Sequence, residues 1–201
     1  MPLLDLDITK ARDLFDLNVW SVVSVTRAFL PLLMKSTHEQ GALMVVNTSG
    51  SSITSGMMPF AGAYNASKAA AAGITETFRL ELEPFGIRVI NLMTGGIRST
   101  FFNNVPDPVL PPDSRYIVAK EDVERTMSGA DKVNHSDPEV WARQVVGDLS
   151  KRKPAYWIWR GKFSTLGWIA SHMPVGSLDG FMKRITGLDV VEKKIKDQQA
   201  L

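Results

Sequence analysis

A tyrosine and a lysine spaced for one turn of helix are the residues in this sequence best suited to proton transfer. Tyr64 and Lys68 lie four residues apart, so in a helix their side chains share one face. A neighbouring ammonium group favours a phenolate, and we therefore expect Lys68 to lower the pKa of Tyr64. A tyrosine of this kind gives a proton to a carbonyl oxygen as hydride reaches the carbon. Alone, the pair is weak evidence, because most such pairs lie on protein surfaces.

Two further polar residues are placed to support the same reaction. Ser51 lies 13 residues before Tyr64, just past a short apolar run, where its hydroxyl would hold the carbonyl oxygen. Ser49 and Ser52 are close neighbours, and Ser51 is preferred for its spacing. Asn18 lies in an apolar stretch, where a polar side chain needs a partner. For Asn18, an asparagine satisfied by helix packing is the alternative.

Alternating helices and short apolar runs must position these residues. Asp7 is the expected N-cap of a long first helix that runs toward Leu30. Ile74, Phe78 and Leu82 recur every four residues and predict the buried face of a second helix. The alternation of elements indicates a parallel α/β sheet. The remaining predicted elements are strands at 43–47, 87–93 and 155–159, a loop at 48–56, and helices at 63–83 and 138–149.

The chain is expected to form one domain with three parts. Residues 1–96 would be the catalytic core. Residues 97–136 are polar and contain prolines, which is typical of a substrate loop. Residues 137–201 would add a helix, a strand and a basic, apolar tail.

The composition excludes several kinds of site. The 201 residues include no cysteine, which excludes disulfides, thiolate catalysis and sulfur-ligated metals. His38, His135 and His172 lie far apart without ligand spacing, so no metal site is expected. No signal peptide is evident after Met1, and residues 163–178 are too short and interrupted for a membrane span. An intracellular protein, soluble or peripherally bound to a membrane, is expected.

Charge is unevenly distributed along the chain. Residues 1–150 carry 13 basic and 17 acidic side chains, whereas residues 151–201 carry 10 and 4. A basic tail with Trp157, Trp159 and Trp168 is typical of contact with an anionic membrane surface, although a solvated end has the same pattern. No nucleic-acid reading motif accompanies the charge, and no nucleic-acid partner is expected.

Taken together, these segments resemble the short-chain dehydrogenase/reductase family. The resemblance implies a Rossmann-like, doubly wound parallel sheet and an NAD(P)-dependent oxidoreductase. Tyr64 would be the catalytic acid and base, and Lys68 would lower its pKa and bind the nicotinamide ribose. Ser51 would orient the carbonyl, and Asn18 would hold a proton-relay water. The matching segments are Asn18-Val19, Val45–Ser51 (Val-Val-Asn-Thr-Ser-Gly-Ser), Tyr64-Asn-Ala-Ser-Lys68, and Gly86–Asn91 before a glycine turn.

The same resemblance implies cofactor and subunit contacts. Ile97 and Ser99 match positions that contact the nicotinamide end, and Arg27 is a further cofactor-side candidate. Small residues at the start of the second helix, Ser67 among them, are expected to let a flat group approach. In family members, the helices that match residues 9–30 and 63–83 pair between subunits, which implies a homo-oligomer.

Four short segments of the sequence are similar to those of one subgroup of the family, the fungal NADPH-dependent 1-acyldihydroxyacetone-phosphate reductases. The subgroup implies NADPH as cofactor and a lipid-like ketone as substrate in lipid metabolism. It also implies the cytoplasmic face of the endoplasmic reticulum or a lipid droplet as location. Sterols, fatty-acyl ketones and polyketides remain open as substrates. The similar features are Pro59-Phe60, Leu82–Gly86, Thr94–Gly96 and Trp159–Gly161.

Part of the family pattern is missing. Family members open with a strand, a Thr-Gly-x-x-x-Gly-x-Gly turn and a phosphate-binding helix, and later carry an Asn-Asn-Ala-Gly turn. None of these motifs occurs here, so the N-terminal cofactor-binding half is expected to be absent. The strands at 43–47 and 87–93 would then lack neighbours on one side. A non-catalytic remnant that binds an intact homologue is therefore the alternative to a reductase.

Overall fold

Three parallel strands form the sheet at the centre of the fold. In the computed structural model, β1 covers Ala42–Asn47, β2 covers Ile87–Thr94 and β3 covers Trp157–Arg160. β2 lies in the middle and pairs in parallel with both neighbours. The structure describes residues 1–39, 41–53, 55, 57–100, 108–129 and 135–200.

Helices cover both faces of this sheet. α2 and α3 pack on one face, and α5 packs on the other. This arrangement confirms the Rossmann-like, doubly wound α/β fold expected from the sequence. The helices are α1 (Ile8–Phe15), α2 (Ser21–Leu33), α3 (Gly62–Glu81), α4 (Lys120–Ser128), α5 (Pro138–Leu149), α6 (Ser164–Ala170), α7 (Asp179–Thr186) and α8 (Leu188–Gln199).

Strand β2 contributes to the core on both faces because its side chains alternate in direction. Val89 packs with Leu82, which follows the last turn of α3. On the opposite face, Ile90 packs with Ile158 of β3 and Val145 of α5. The strand is therefore buried on both sides, as its continuous apolar run predicts.

β1 is an edge strand of the described sheet. Its partner β2 has a neighbour on each side, so the expectation that both strands lack neighbours is wrong for β2 and holds for β1. Leu43 and Val45 are 39% and 36% exposed. An exposed apolar edge of this kind is a site where another chain can pair or pack.

The first helix is interrupted at Asn18. Asp7 caps α1 as predicted, and its Oδ1 accepts hydrogen bonds from the backbone N–H groups of Thr9 and Lys10 at 2.9 and 3.3 Å. A π-helical turn over Asp16–Trp20 then separates α1 from α2. The continuous helix expected from the sequence is therefore wrong, because apolar periodicity does not reveal the extra residue of a π turn.

Small residues form the buried face of α3. Ser67, Ala71 and Thr75 are each at most 2% exposed and recur every four residues. Ile74 and Phe78, which the sequence predicts to be buried, are only partly so. Leu82, the third residue of the predicted face, is 6% exposed and belongs with Phe78 to the core under the sheet. Nearer the start of α3, the buried face is instead made of small side chains, which allow the helix to lie close to its neighbours.

The chain after β2 contains more helix than the sequence predicts. The segment 97–136, expected to be an open polar loop, contains α4, and its residues 101–107 and 130–134 lie outside the described residues. β3 begins at Trp157, two residues after the predicted start, and the predicted tail folds into α6, α7 and α8. Within the ranges described, no helix is long and apolar enough to cross a membrane.

A second core joins the C-terminal helix to the loop that precedes α3. Val123 of α4, Val191 of α8 and Leu110 pack with Phe60 in one buried cluster. Phe60 has a positive φ of 64°, and its ring meets the edge of the Tyr116 ring at 5.6 Å. The last helix of the chain therefore supports the segment that leads to Tyr64.

Candidate active site

The carboxyl ends of β1 and β2 bring the predicted site residues to one edge of the sheet. The short 3₁₀ turn Gly50–Ser52 follows β1, and Gly95 and Gly96 follow β2. α3 begins at this edge because it returns the chain from β1 to the start of β2. Thr94 Oγ1 donates a hydrogen bond to Asn47 Oδ1 at 2.5 Å and joins the two strand ends.

Tyr64 and Lys68 share one face of α3, as their spacing predicts. Lys68 Nζ lies 5.9 Å from the centre of the Tyr64 ring. Both side chains are partly buried, so water screens the interaction between them less than at an open surface. The structure therefore holds an ammonium group beside the phenol that would donate the proton.

Lys68 is a cation held at an electrostatic cost. Burial lowers the pKa of its ammonium group below the usual range of a lysine. Among the residues that the structure describes, no carboxylate forms an ion pair with it. A lysine ammonium has three N–H donors, which can bond to oxygen acceptors of a ligand, hydroxyl groups included.

The serine turn lies against the Lys68 turn of α3. Ser52 Oγ lies 3.1 Å from the Lys68 carbonyl oxygen and 2.7 Å from the Ser49 carbonyl oxygen, and it donates to these backbone groups. Ser51 Oγ donates to Ser49 Oγ at 2.9 Å. Ser52 therefore anchors the turn to the helix, whereas the Ser51 hydroxyl bonds to a side chain. The choice of Ser51 as the serine that orients the substrate stays a prediction.

Asn18 reaches the same helix from the π turn. Its Nδ2 donates a hydrogen bond to Ser67 Oγ at 3.0 Å, and Ser67 Oγ donates to the Tyr64 carbonyl oxygen at 2.8 Å. The polar side chain in an apolar helix thus has the partner that it requires. The partner belongs to the turn of α3 that holds Tyr64.

Sequence reasoning missed the role of Ser67. It predicts Ser67 as one of the small residues that leave space for a flat group, but this side chain is 0% exposed and hydrogen-bonded on two sides. The four-residue spacing of Ser67, Ala71 and Thr75 could have revealed it, because this spacing places the three small side chains on one face of the helix.

Three further residues are predicted to contact the cofactor, namely Ile97, Ser99 and Arg27. Ile97 is partly buried beyond β2 and forms an isolated bridge with Ser136, and Ser99 is exposed two residues further on. Arg27 is exposed on α2, about 13 Å along the helix from Asn18, and its cofactor contact stays a prediction. The described part of the chain holds no group of three or more His, Cys, Asp or Glu placed to bind a metal.

Two glycines after β2 permit close packing at the edge of the site. A Cβ atom on Gly95 would lie 2.2 Å from the Lys162 carbonyl oxygen. A Cβ atom on Gly96 would lie 2.8 Å from the ring of His135, which the sequence analysis does not assign to the site. Glycine at position 95 therefore lets the chain after β3 close over this turn, and glycine at position 96 leaves room for the His135 ring.

Comparisons with known proteins show the family of this chain. Residues 1–109 match the short chain dehydrogenase family. The chain is 41% identical over 200 residues to the short-chain dehydrogenase/reductase GME11361 of Pestalotiopsis microspora, covering 98% of this chain and 67% of that protein. It is 30% identical over 189 residues to the NADPH-dependent 1-acyldihydroxyacetone phosphate reductase of Schizosaccharomyces pombe, covering 87% of this chain and 61% of that one.

A solved structure shares the fold. A short-chain dehydrogenase from Streptomyces avermitilis superimposes with a TM-score of 0.68 at 23% identity, over 96% of this chain and 66% of that one. The chain thus spans about two thirds of the length of the relatives that it matches. The family match over residues 1–109 and the identity to the Pestalotiopsis protein establish that this chain belongs to the short-chain dehydrogenase/reductase family.

Proposed function

We propose that the protein is an oxidoreductase that reduces a ketone with hydride from NADPH and a proton from Tyr64. The observation that carries the proposal is the pairing of Tyr64 with Lys68 on one partly buried face, beside the serine turn that contains Ser51. Membership of the family supports the reaction class.

The residues present suit the ribose and nicotinamide end of a dinucleotide. The Lys68 ammonium and the Tyr64 phenol offer donors on one helix face, which fits a sugar with neighbouring hydroxyl groups. Ile97 and Ser99 follow the carboxyl end of β2, the edge at which parallel sheets bind ligands. When bound, the nicotinamide nucleotide supplies the hydride.

Residues of this chain bind the substrate carbonyl oxygen and donate the proton to it. Ser51 donates a hydrogen bond from Oγ to the substrate carbonyl oxygen and orients it. The proton of the Tyr64 hydroxyl moves to that oxygen as the carbonyl carbon is reduced, which leaves a phenolate. The Lys68 ammonium stabilises this phenolate, and Asn18 holds a water that relays the replacement proton.

The cofactor and substrate are proposed from similarity. The relative from Schizosaccharomyces pombe is named for NADPH and for 1-acyldihydroxyacetone phosphate, and it supports NADPH and a lipid-like ketone for this chain. The features around Pro59-Phe60 and Trp159–Gly161 support the same subgroup.

We also propose contact with an anionic membrane surface, at the cytoplasmic face of the endoplasmic reticulum or on a lipid droplet. α6 and α7 expose large apolar side chains, and Arg184 of α7 adds positive charge. Apolar groups that enter the headgroup region beside cations are typical of interfacial binding. We name as the α6–α7 surface the side chains of Leu166, Trp168, Ile169, Phe181 and Ile185.

A second copy of the chain is the proposed partner of α2. Val25, Phe29 and Leu32 lie on one face of this helix and are 55% to 66% exposed. α3 presents small exposed positions, including Gly73, which suit close helix packing. The proposed homo-oligomer would cover both faces.

Substituting Tyr64→Phe removes the proton donor and keeps the ring. We expect NADPH-dependent turnover of an acyldihydroxyacetone phosphate, followed by absorbance, to fall by about 10² to 10⁴. Tyr156→Phe is the control, because Tyr156 precedes β3 at the opposite edge of the sheet, and it should keep full turnover. Retained turnover in Tyr64→Phe would falsify the mechanism. A parent chain that neither turns over substrate nor binds NADPH would favour the non-catalytic alternative.

Substituting Lys68→Met should remove turnover without lowering stability at pH 7. The folded chain holds this ammonium at a lowered pKa, so the unfolded chain binds its proton more tightly. The free energy of unfolding of the parent therefore rises with pH between the two pKa values, and methionine avoids the cost at lower pH. In urea unfolding, the variant should match or exceed the parent at pH 7, and its advantage should shrink as pH rises.

Lys183→Met is the control, because the pKa of Lys183 is shifted in the direction opposite to that of Lys68. Its ammonium pairs with Glu192 at 2.5 Å, and this hydrogen bond raises the pKa of Lys183. This variant should be no more stable than the parent at pH 7. Our account of Lys68 is wrong if Lys68→Met is clearly the less stable of the two.

Substituting Phe29→Glu should disrupt the proposed oligomer. A carboxylate at the centre of the exposed α2 face would have to be buried without a partner. Light scattering should show a dimer or larger assembly for the parent and a smaller mass for the variant. Val146→Glu, at an exposed position of α5, should leave the mass unchanged. A monomeric parent would contradict the proposal.

Substituting Trp168→Ser together with Phe181→Ser should weaken membrane binding. Both side chains belong to the α6–α7 surface, and their loss should reduce binding to phosphatidylserine vesicles by about tenfold or more. Leu17→Ser is the control, because the Leu17 side chain is more exposed than either of these two but lies on the π turn. Equal binding by parent and double variant, or none by the parent, would contradict the proposal.

A further inference from the structure

A buried hydroxyl connects two parts of the candidate active site. Ser67 lies on α3 directly before Lys68, and its side chain is 0% exposed. Ser67 Oγ accepts a hydrogen bond from Asn18 Nδ2 at 3.0 Å and donates one to the Tyr64 carbonyl oxygen at 2.8 Å. Asn18 and Ser67 are 49 residues apart in the chain, so this contact joins two separate helices.

The chemistry of these groups gives the chain of hydrogen bonds one direction. The Asn18 amide nitrogen only donates, and the Tyr64 carbonyl oxygen only accepts. The single hydroxyl hydrogen of Ser67 therefore points to Tyr64, and an oxygen lone pair of Ser67 receives the Asn18 amide. This arrangement satisfies the Ser67 hydroxyl as both donor and acceptor, as a fully buried hydroxyl requires.

The bond also determines the orientation of Asn18. Once the amide nitrogen is held by Ser67, the direction of the side-chain oxygen is set as well. Asn18 lies in the π turn Asp16–Trp20, a rare local conformation that needs support from its surroundings. Ser67 supplies that support from the helix that carries Tyr64 and Lys68.

We propose that Ser67 is a positioning residue that couples the π turn at Asn18 to the Tyr64–Lys68 turn of α3. This proposal rests on the proposed function for its effect on turnover. Its structural part, the coupling of the two helices, does not depend on activity. Ser67 touches neither substrate nor cofactor in this account, and it acts through Asn18 and through the backbone at Tyr64.

The test compares Ser67→Ala with Thr75→Val. Alanine removes the Ser67 hydroxyl and retains helix propensity, so the variant should fold. Thr75 is also buried on α3, and its Oγ1 donates to the Ala71 carbonyl oxygen at 2.7 Å within the same helix. Valine removes that hydroxyl and keeps its shape, which makes Thr75→Val a matched control for the loss of a buried hydroxyl.

Amide hydrogen exchange measures the coupling without any assay of activity. In Ser67→Ala, the backbone amides of Asp16–Trp20 should exchange about fivefold faster or more, the effect of losing one net hydrogen bond. In Thr75→Val, they should exchange as in the parent. Asn18→Ala should accelerate exchange in the same segment, and it provides a second route to the result if Ser67→Ala fails to fold. Unchanged exchange in both Ser67→Ala and Asn18→Ala would overturn the proposal.

Kinetics then measure the consequence for the reaction. Ser67→Ala should lower kcat about 10- to 100-fold with less than a threefold change in KM, because a displaced catalytic group affects the transition state more than substrate binding. The effects of Ser67→Ala and Asn18→Ala on kcat should be less than additive in the double variant, since both single variants remove the shared hydrogen bond between Asn18 and Ser67. Additive effects would overturn the coupling.

The two proposals can fail separately. Faster exchange in a chain whose parent shows no turnover would support the coupling and contradict the reductase function. Loss of turnover in Tyr64→Phe, together with unchanged amide exchange in Ser67→Ala and Asn18→Ala, would support the reductase function and contradict the coupling.

Discussion

The parallel pairing of β1 with β2 is the constraint on which the candidate site depends. In a parallel pair both strands end at the same edge, so the serine turn after β1 and the glycine turn after β2 are brought together. The crossover that joins such strands must return the chain to the opposite edge, and here α3 makes that return. Its first turns, which carry Tyr64 and Lys68, therefore lie at the same edge as the two turns.

Much of this architecture was predictable because each element carries a local signal. Strands β1 and β2 follow from continuous apolar runs, and the cap at Asp7 follows from residue type. The shared face of Tyr64 and Lys68 follows from helix geometry. The family pattern adds the pairing of these residues with Ser51 and Asn18. Local signals of this kind suffice wherever neighbours in the chain determine the structure.

The features that escaped prediction depend on contacts between distant segments. The π turn at Asn18 is stabilised by a side chain 49 residues away, and the buried row on α3 is made of small residues that have no strong apolar signal. α4 and α8 likewise acquire their buried faces from each other, through Val123 and Val191. A polar sequence such as that of α4 gives little indication of the partner that makes it helical.

The Lys68 ammonium, which the proposed reaction requires, lowers the stability of the folded chain. A partly buried ammonium destabilises the folded chain, as its lowered pKa shows, and an apolar side chain would fill the position at lower cost. The surrounding small residues and hydrogen-bonded turns hold the charge beside Tyr64 in spite of that cost. The hydroxyl groups of Ser52 and Ser67 donate hydrogen bonds to the backbone carbonyl oxygens of Lys68 and Tyr64 and so brace the first turns of this helix.

The second core has a consequence for the order in which the protein is made. Phe60, four residues before Tyr64, is buried against Val123 and against Val191 of α8. During synthesis the strands and α3 leave the ribosome first, but this cluster cannot close until Leu188–Gln199 have been translated and released from the exit tunnel. The loop that leads to Tyr64 therefore reaches its final conformation only after α8 has left the ribosome, and the nascent chain carries its site residues before it has a finished site.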